Sequence, residues 1–229
     1  MSEADRILAE YARRAEEVPA ELYAPTNPAH LFIRQSLERA LVRMLGEAGA
    51  LPLAGRRVLD VGCGYGQWLA DLETLGAERR LLAGIDLVPE RAEKARARLG
   101  GADIREGDAS ELPFESGAFD IVLQSMMFSS ILDGEVKRRA ASEMARVLAP
   151  GGVVLWYDFF VNNPRNPNVR GVGRREVEEL FPGFDLRWRR VTLAPPLLRA
   201  LAPRLRQLAG ALQGLRVLNT HALATLSRT

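Results

Sequence analysis

The chain has one cysteine, Cys63, two histidines, and only two lysines, Lys94 and Lys137, among its 31 basic residues. A single cysteine excludes an internal disulfide framework and fits a reducing compartment, so a cytoplasmic protein is expected. Cys63 itself reads as a small residue tolerated between two glycines. His30 and His221 are far apart in sequence, and no His, Cys and acid constellation forms a metal centre, so no metal is expected. No apolar run reaches the roughly 18–20 residues of a membrane span. The first seventeen residues are charged where a signal peptide would be apolar. Repeats and low-complexity tracts are absent.

What is present is enough for one α/β domain with a full core in 229 residues. Charge is unevenly spread. From Phe160 onward there are twelve arginines against four acids, which is +8; the net charge is +2, so the first 159 residues carry −6. Such asymmetry marks either an anionic partner or a solvated arginine-rich surface.

The stretch Arg57-Val58-Leu59-Asp60-Val61-Gly62-Cys63-Gly64-Tyr65-Gly66 organises the rest. A short apolar strand runs into three alternating glycines and then into the helical spacing of Gln67 to Leu72. Strand, glycine turn and helix open a nucleotide-binding α/β unit. A dinucleotide fingerprint, G-x-G-x-x-G, would need its third glycine at Gln67, one residue later than Gly66. Asp60 beside the loop would repel a pyrophosphate and suits a cofactor with a positive centre and an amino group. A second strand, 81–86, ends in Asp86, where a carboxylate can grip a ribose diol. Pro89 then starts a helix to Leu99, and 102–106 is a third strand. Phe119 to Ser125 is the fourth, a helix runs from Asp133 to Leu148, and Val153 to Asp158 is the fifth. Phe184 to Leu193 and His221 to Leu226 complete the sheet. Alternating strands and helices predict a parallel sheet with right-handed crossovers.

Asp60, Gly62, Gly64 and Gly66 together resemble motif I, acid-x-G-x-G-x-G, of the class I S-adenosylmethionine (SAM) dependent methyltransferases of the type 11 kind. Gly107-Asp108-Ala109 followed by Leu112-Pro113-Phe114, and Leu148-Ala149-Pro150-Gly151-Gly152, also match that family's sequence forms. The resemblance covers roughly residues 55–158. It implies a Rossmann-like three-layer α/β sandwich, with a mostly parallel seven-stranded sheet whose last strand is antiparallel at the edge. It implies SAM as cofactor and S-adenosylhomocysteine as product. Asp60, Gly62, Cys63, Gly64, Gly66, Asp86, Leu87, Asp108, Ala109 and Gln124 become the cofactor-binding candidates, Asp108 for the adenine amino group. The activity implied is methyl transfer to a small molecule, O-methylation of a hydroxylated acceptor such as a sugar, glycolipid or natural product. The competing readings are a nucleic-acid methyltransferase and a non-catalytic SAM-binding partner. No base-flipping motif or added binding module supports nucleic acid.

Two segments lie outside the motifs. Residues 1–50 read as an N-terminal helical cap, with a helix starting at N-cap Asn27 and Pro28 and burying Leu31, Leu37, Leu41, Met44 and Leu45. By resemblance, Tyr11, Tyr23, His30 and Arg34 are placed to line the pocket. Residues 51–229 form the methyltransferase domain, with a helical insert at about 195–215. There Leu201, Leu205, Leu208, Leu212 and Leu215 recur at helical spacing, interrupted by Pro203. The insert can cap the pocket, form a homodimer contact, lie on a membrane as a basic amphipathic helix, or pack on its own domain. Asp158, Tyr157 and His30 are the catalytic candidates. Asn162, Asn163, Arg165, Arg170 and Met127 are the substrate-binding ones, in or near an Asn- and Pro-rich loop suited to a polyhydroxylated or anionic acceptor.

Overall fold

A computed structural model describes residues 2–162 and 166–229. In chain order the elements are α1 (Glu3–Glu17), α2 (Pro28–Glu47), β1 (Val58–Val61), α3 (Gln67–Thr74), β2 (Leu82–Asp86), α4 (Pro89–Arg98), β3 (Asp103–Glu106) and β4 (Phe119–Ser125). They continue with α5 (Gly134–Val147), β5 (Leu148–Phe159), α6 (Arg174–Leu180), β6 (Phe184–Leu193), α7 (Pro195–Leu201), α8 (Arg206–Gly214) and β7 (Asn219–Arg228). The seven strands form one sheet in the order β3-β2-β1-β4-β5-β7-β6. Every residue of β1 and β2 is buried, as expected of central parallel strands covered on both faces. Strand order reverses between β1 and β4, and at such a switch point ligands of open α/β sheets bind.

Local signals explain several boundaries. Asn27 caps α2 by accepting from the N–H groups of Ala29 and His30, with Pro28 at the first helical position. Asp133 caps α5 in the same way, accepting from Glu135 and Val136. Ser2 and Asp5 form a reciprocal capping box at the start of α1.

The structure corrects four expectations. β7 is antiparallel, but it lies inside the sheet between β5 and β6, and β6 is the edge. Exposed Arg187 and Arg190 guard that edge. The Pro150-Gly151-Gly152 run does not separate helix from strand. β5 begins at Leu148 opposite Phe119, and three extra residues pass before Val153 pairs with Ile121. The glycines make that bulge possible: Gly151 is left-handed at φ +74°, and a Cβ on Gly152 would lie 2.9 Å from the carbonyl oxygens of both Ala149 and Asp120. On α2, Leu31 is exposed and Phe32 takes its place in the core. In the insert, Leu198, Ala202 and Ala209 are the buried residues, while Leu205, Leu208 and Leu215 face solvent. The break around Pro203 puts α7 and α8 out of phase, so one leucine stripe cannot pack along both.

Candidate cofactor site and its surroundings

The loop after β1 is built by three left-handed glycines, Gly62, Gly64 and Gly66, at φ +76°, +53° and +72°. The N–H groups of Gly62 and Cys63 both donate to the Ile85 carbonyl, at 2.8 and 3.0 Å, which pins the loop to β2. The glycines differ in what surrounds them. A Cβ on Gly62 would meet Met127 at 3.0 Å, and one on Gly66 would meet Leu99 at 2.8 Å. One on Gly64 would meet nothing within 4 Å. Gly62 and Gly66 are therefore fixed by packing, whereas Gly64 borders open space. Gly66 then starts α3 with no side-chain cap, which leaves its first-turn N–H groups free for a ligand. Cys63 is buried with its sulfur packed near Gly84, and burial pushes its thiol pKa up, which makes it an inert packing residue.

The carboxylates around the loop have distinct roles. Asp60 is buried, and neither of its oxygens has a hydrogen-bond partner among the described residues. Burial first, and the charge of Asp86 second, raise its pKa well above the usual carboxylate range. Asp86 accepts from the Gly64 N–H at 2.7 Å and from the Val88 N–H at 2.9 Å, bracing the loop on one side and the entry to α4 on the other. Leu87 lies half-buried between those braces. Asp108 accepts from the Ser110 N–H at 2.7 Å, an Asx turn, with half-buried Ala109 inside it. Gln124 spends its amide on backbone: Nε2 donates to the Tyr157 carbonyl and Oε1 accepts from the Met127 N–H. That brace supports the left-handed Met126, φ +60°, in the turn that carries Met127 to Gly62.

Tyr157 and Asp158 point to opposite faces of β5. The Tyr157 hydroxyl lies 3.0 Å from Thr192 Oγ1, and its ring stacks on His221 at 5.5 Å. Nothing in the sequence reading singled out His221 or Thr192. The β5–β7 register places His221 opposite Phe159 and diagonal to Tyr157, a pairing that leaves no local signal in the sequence. Asp158 is buried and accepts from the N–H groups of Ser129 and Phe159 at 3.0 and 2.9 Å. Burial raises its pKa to about 7, against the lowering effect of those bonds and of Lys137. His30 is half-buried, edge-on to Tyr23, and its ring nitrogens have no hydrogen-bond partner among the described residues. Burial and Arg34 lower its pKa, so the imidazole is neutral at pH 7. Arg34, one turn further along α2, is bonded to Asp71 of α3 at 2.5 Å. α2 ends at Glu47, bonded to Arg187 and Arg189 near the middle of β6, while Ala29 and Phe32 at its start pack with Leu193, the last residue of β6, so His30 lies toward the carboxyl edge of the sheet.

Helix α1 crosses that same edge. Tyr11 OH lies 3.0 Å from Ser130 Oγ, beyond β4, and its ring carries the Arg91 guanidinium of α4 at 3.8 Å. Glu10 accepts from Asn168 at 2.8 Å and Glu3 accepts from the Leu132 N–H at 2.5 Å. In the loop after β5, Asn162 accepts from the Gly171 N–H at 2.8 Å, and Arg170 pairs with Glu176 at 2.5 Å. Glu176 also accepts from buried Lys137 at 3.0 Å. Asn163 and Arg165 lie outside the described residues. Glycine loop, Asp60, Asp86, Asp108 and Met127 thus share the carboxyl edge around β1, while Arg170 is committed to α6.

Residues 59–156 match the family model described as a methyltransferase domain. Over that stretch the chain is similar to methyltransferase domains. Demethylmenaquinone methyltransferase of Deinococcus radiodurans is 30% identical over 146 residues, covering 61% of this chain and 59% of that protein. The 27-O-demethylrifamycin SV methyltransferase of Amycolatopsis mediterranei is 34% identical over 134 residues, covering 55% of this chain and 47% of that protein. The chain thus spans about half the length of the curated relatives it matches. Among solved structures, a SAM-dependent methyltransferase of Thermotoga maritima, a possible histamine N-methyltransferase, superposes with a TM-score of 0.60 at 18% identity, covering 98% of this chain and 97% of that one. At that identity the likeness shows the fold alone.

Proposed function

We propose that this protein is a SAM-dependent methyltransferase that O-methylates a hydroxylated small molecule. The observation that carries the reading is Asp60, a buried carboxylate without a hydrogen-bond partner among the described residues, beside a glycine loop that opens into space at Gly64. A buried unpaired acid is costly, and a cofactor bearing an ammonium group and a positive sulfur would relieve that cost. These residues fit SAM: Asp60 for its positive end, the first-turn N–H groups of α3 after Gly66 for its carboxylate, Asp86 for the ribose hydroxyls, and Asp108 with Ala109 for the adenine. Asp86 retains a free lone pair on each oxygen after its two backbone bonds, so it can still accept the diol.

When bound, SAM supplies an electrophilic methyl group already activated by the sulfonium. The protein then has to align the acceptor and exclude water, effects worth about 7–11 kcal/mol when the alignment is good. Met127 and Met126 offer an apolar wall beside Gly62. Among the three catalytic candidates, Tyr157 is engaged by Thr192 and Asp158 by two N–H groups, which leaves His30 the best-suited proton acceptor for a hydroxyl. In this reading residues 1–50 form the cap of the site, with α1 latched across it by Tyr11. The O-demethyl acceptor in the name of the rifamycin relative supports a hydroxyl acceptor, and the menaquinone relative supports an apolar one.

The test is calorimetric titration of the purified chain with S-adenosylhomocysteine, with NAD alongside. A screen of hydroxylated acceptors with methyl-labelled SAM follows, repeated on His30→Gln. Micromolar S-adenosylhomocysteine binding with label on an acceptor oxygen is the expected result. Binding of NAD alone, or label on nitrogen or carbon only, would overturn it.

A further inference from the structure

The last acid in the chain is Asp185; the 44 residues after it hold eight arginines and no aspartate or glutamate. Within this stretch, α8 and the turns at its two ends expose four large aliphatic residues. Leu205 is 51% exposed, Leu208 45%, Leu215 62% and Val217 72%. The rim continues to α2, where exposed Leu31 shares a groove with Ala202, Pro203 and Arg204. Clustered exposed aliphatics in a wholly basic segment are the pattern of an interfacial surface, not of a solvated one.

Behind α8 lies a cleft of ≈ 260 Å³, lined by Arg43 of α2, Arg189 and Arg190 of β6, and Arg216 and Asn219 after α8. Arg189 is paired with Glu47 at 2.7 Å. Arg190 lies over the Phe160 ring at 5.1 Å. Arg43 and Arg216 have no acidic partner among the described residues. Asn219 is 2% exposed, and its Oδ1, like the Oε1 of Gln213, has no hydrogen-bond partner among the described residues. The cleft therefore offers guanidinium donors for an anion and two amide oxygens that call for hydroxyl donors.

We propose that α7, α8 and the Leu215–Val217 turn dock on an anionic phospholipid surface. The exposed aliphatic side chains enter the headgroup boundary, and the arginine cleft takes a phosphodiester headgroup bearing hydroxyls, such as phosphatidylglycerol. Charge complementarity selects this occupant. A second copy would bring two acid-free basic faces together. A nucleic acid would gain nothing from aliphatic side chains, and none of the exposed residues between 195 and 217 is aromatic for base stacking. β6 stands four strand spacings from β1 in the sheet, about 19 Å, so docking leaves the glycine loop free. The surface is argued without reference to methyl transfer, and cofactor affinity is read in a separate assay.

The experiment is co-sedimentation of the full chain with vesicles of phosphatidylcholine alone and with phosphatidylglycerol added. Binding is expected only to the anionic vesicles, weakening as salt rises. Leu208→Asp and Val217→Asp should abolish it. Arg43→Gln and Arg216→Gln should each weaken it roughly fivefold. Every variant should keep the wild-type melting midpoint and S-adenosylhomocysteine affinity. Equal binding to neutral vesicles, no binding to either, or leucine variants that bind as well as wild type would overturn the proposal. So would saturable binding of glycerol phosphate or of RNA by a chain that ignores anionic vesicles.

Discussion

Asp60 and Asp86 stand at the ends of neighbouring parallel strands, Asp60 in register with Gly84, yet Asp86 is braced by two N–H groups and Asp60 has no hydrogen-bond partner among the described residues. The charge of Asp86 also adds to the burial that raises the pKa of Asp60. In the proposed function the pair separates two tasks: Asp86 holds the glycine loop in shape, and Asp60 is left to meet a positive group.

Substituting each acid should therefore give opposite results. Asp60→Asn removes a buried charge and keeps the shape, so its ligand-free melting midpoint should be at least that of wild type near pH 8. Its S-adenosylhomocysteine affinity should fall by about tenfold or more, the loss of one charge-assisted contact. Asp86→Ala strips the acceptor from two backbone N–H groups, at about 1–3 kcal/mol each if they stay dry. Its midpoint should drop, and ligand binding should vanish with it. Thermal melts with and without S-adenosylhomocysteine read both. A ligand shift in Asp60→Asn equal to that of wild type would remove Asp60 from the cofactor site.

The two later glycines of the loop offer a second separation. Gly66→Ala drives a Cβ into Leu99 at 2.8 Å and holds alanine at positive φ, so destabilisation of about 2–4 kcal/mol is expected. Gly64→Ala pays only the backbone strain, about 1–2 kcal/mol. Its Cβ enters the open space instead, where it should displace the cofactor and weaken binding more than stability. Urea unfolding paired with calorimetry distinguishes the two, and a Gly64→Ala protein of unchanged affinity would show that the open space is not where the cofactor lies.

These contrasts show what the sequence could and could not disclose. The central sheet was legible because β1, β2 and β4 carry short, mostly apolar runs and because Pro28, Asp133 and Pro89 mark helix starts locally. Asp60 and Asp86 were legible because their place depends only on strand ends next to glycines. The position of β7 between β5 and β6 was not, since long-range pairing leaves no local trace. The run Pro150-Gly151-Gly152 has the residues of a turn, and only the partner strand reveals a bulge. The face that α8 buries depended on how the chain bends near Pro203. The stacking of Tyr157 on His221 joins residues that become neighbours only through the β5–β7 register.

Tyr11 ties together groups from two parts of the carboxyl edge, Ser130 beyond β4 and Arg91 on α4. If α1 closes the cofactor site, loosening Tyr11 should speed release more than it harms folding. Tyr11→Phe keeps the ring under Arg91 and loses one hydrogen bond, about 0.5–1.5 kcal/mol, so the S-adenosylhomocysteine dissociation rate should rise by roughly two- to tenfold. Tyr11→Ala also loses the cation–π contact and should release faster still. Stopped-flow displacement measures this. Dissociation rates unchanged in both variants would mean that α1 does not gate the site.

Asp158 and His221 should tilt the pH dependence of stability in opposite directions. The folded-state pKa of Asp158 is raised from 3.8 to about 7, so between those values the folded state binds more protons than the unfolded one. Its contribution is then present at low pH and is lost as pH rises through that window. Compared with wild type, Asp158→Asn should gain stability steadily from about pH 4 to about pH 7, by up to ~4 kcal/mol, and gain no more above it. The loss of one N–H acceptor adds a constant offset, which leaves that slope untouched. Burial lowers the pKa of His221 from 6.5 to about 4, so its neutral form favours the folded state above the window and that contribution disappears as pH falls. His221→Phe should therefore gain on wild type as pH drops from about 6.5 toward 4, the mirror image of Asp158→Asn. Urea unfolding of the three proteins across that range decides it. Stability curves that run parallel would mean that neither group changes its protonation on folding, and that both sites are wetter than the packing around them implies.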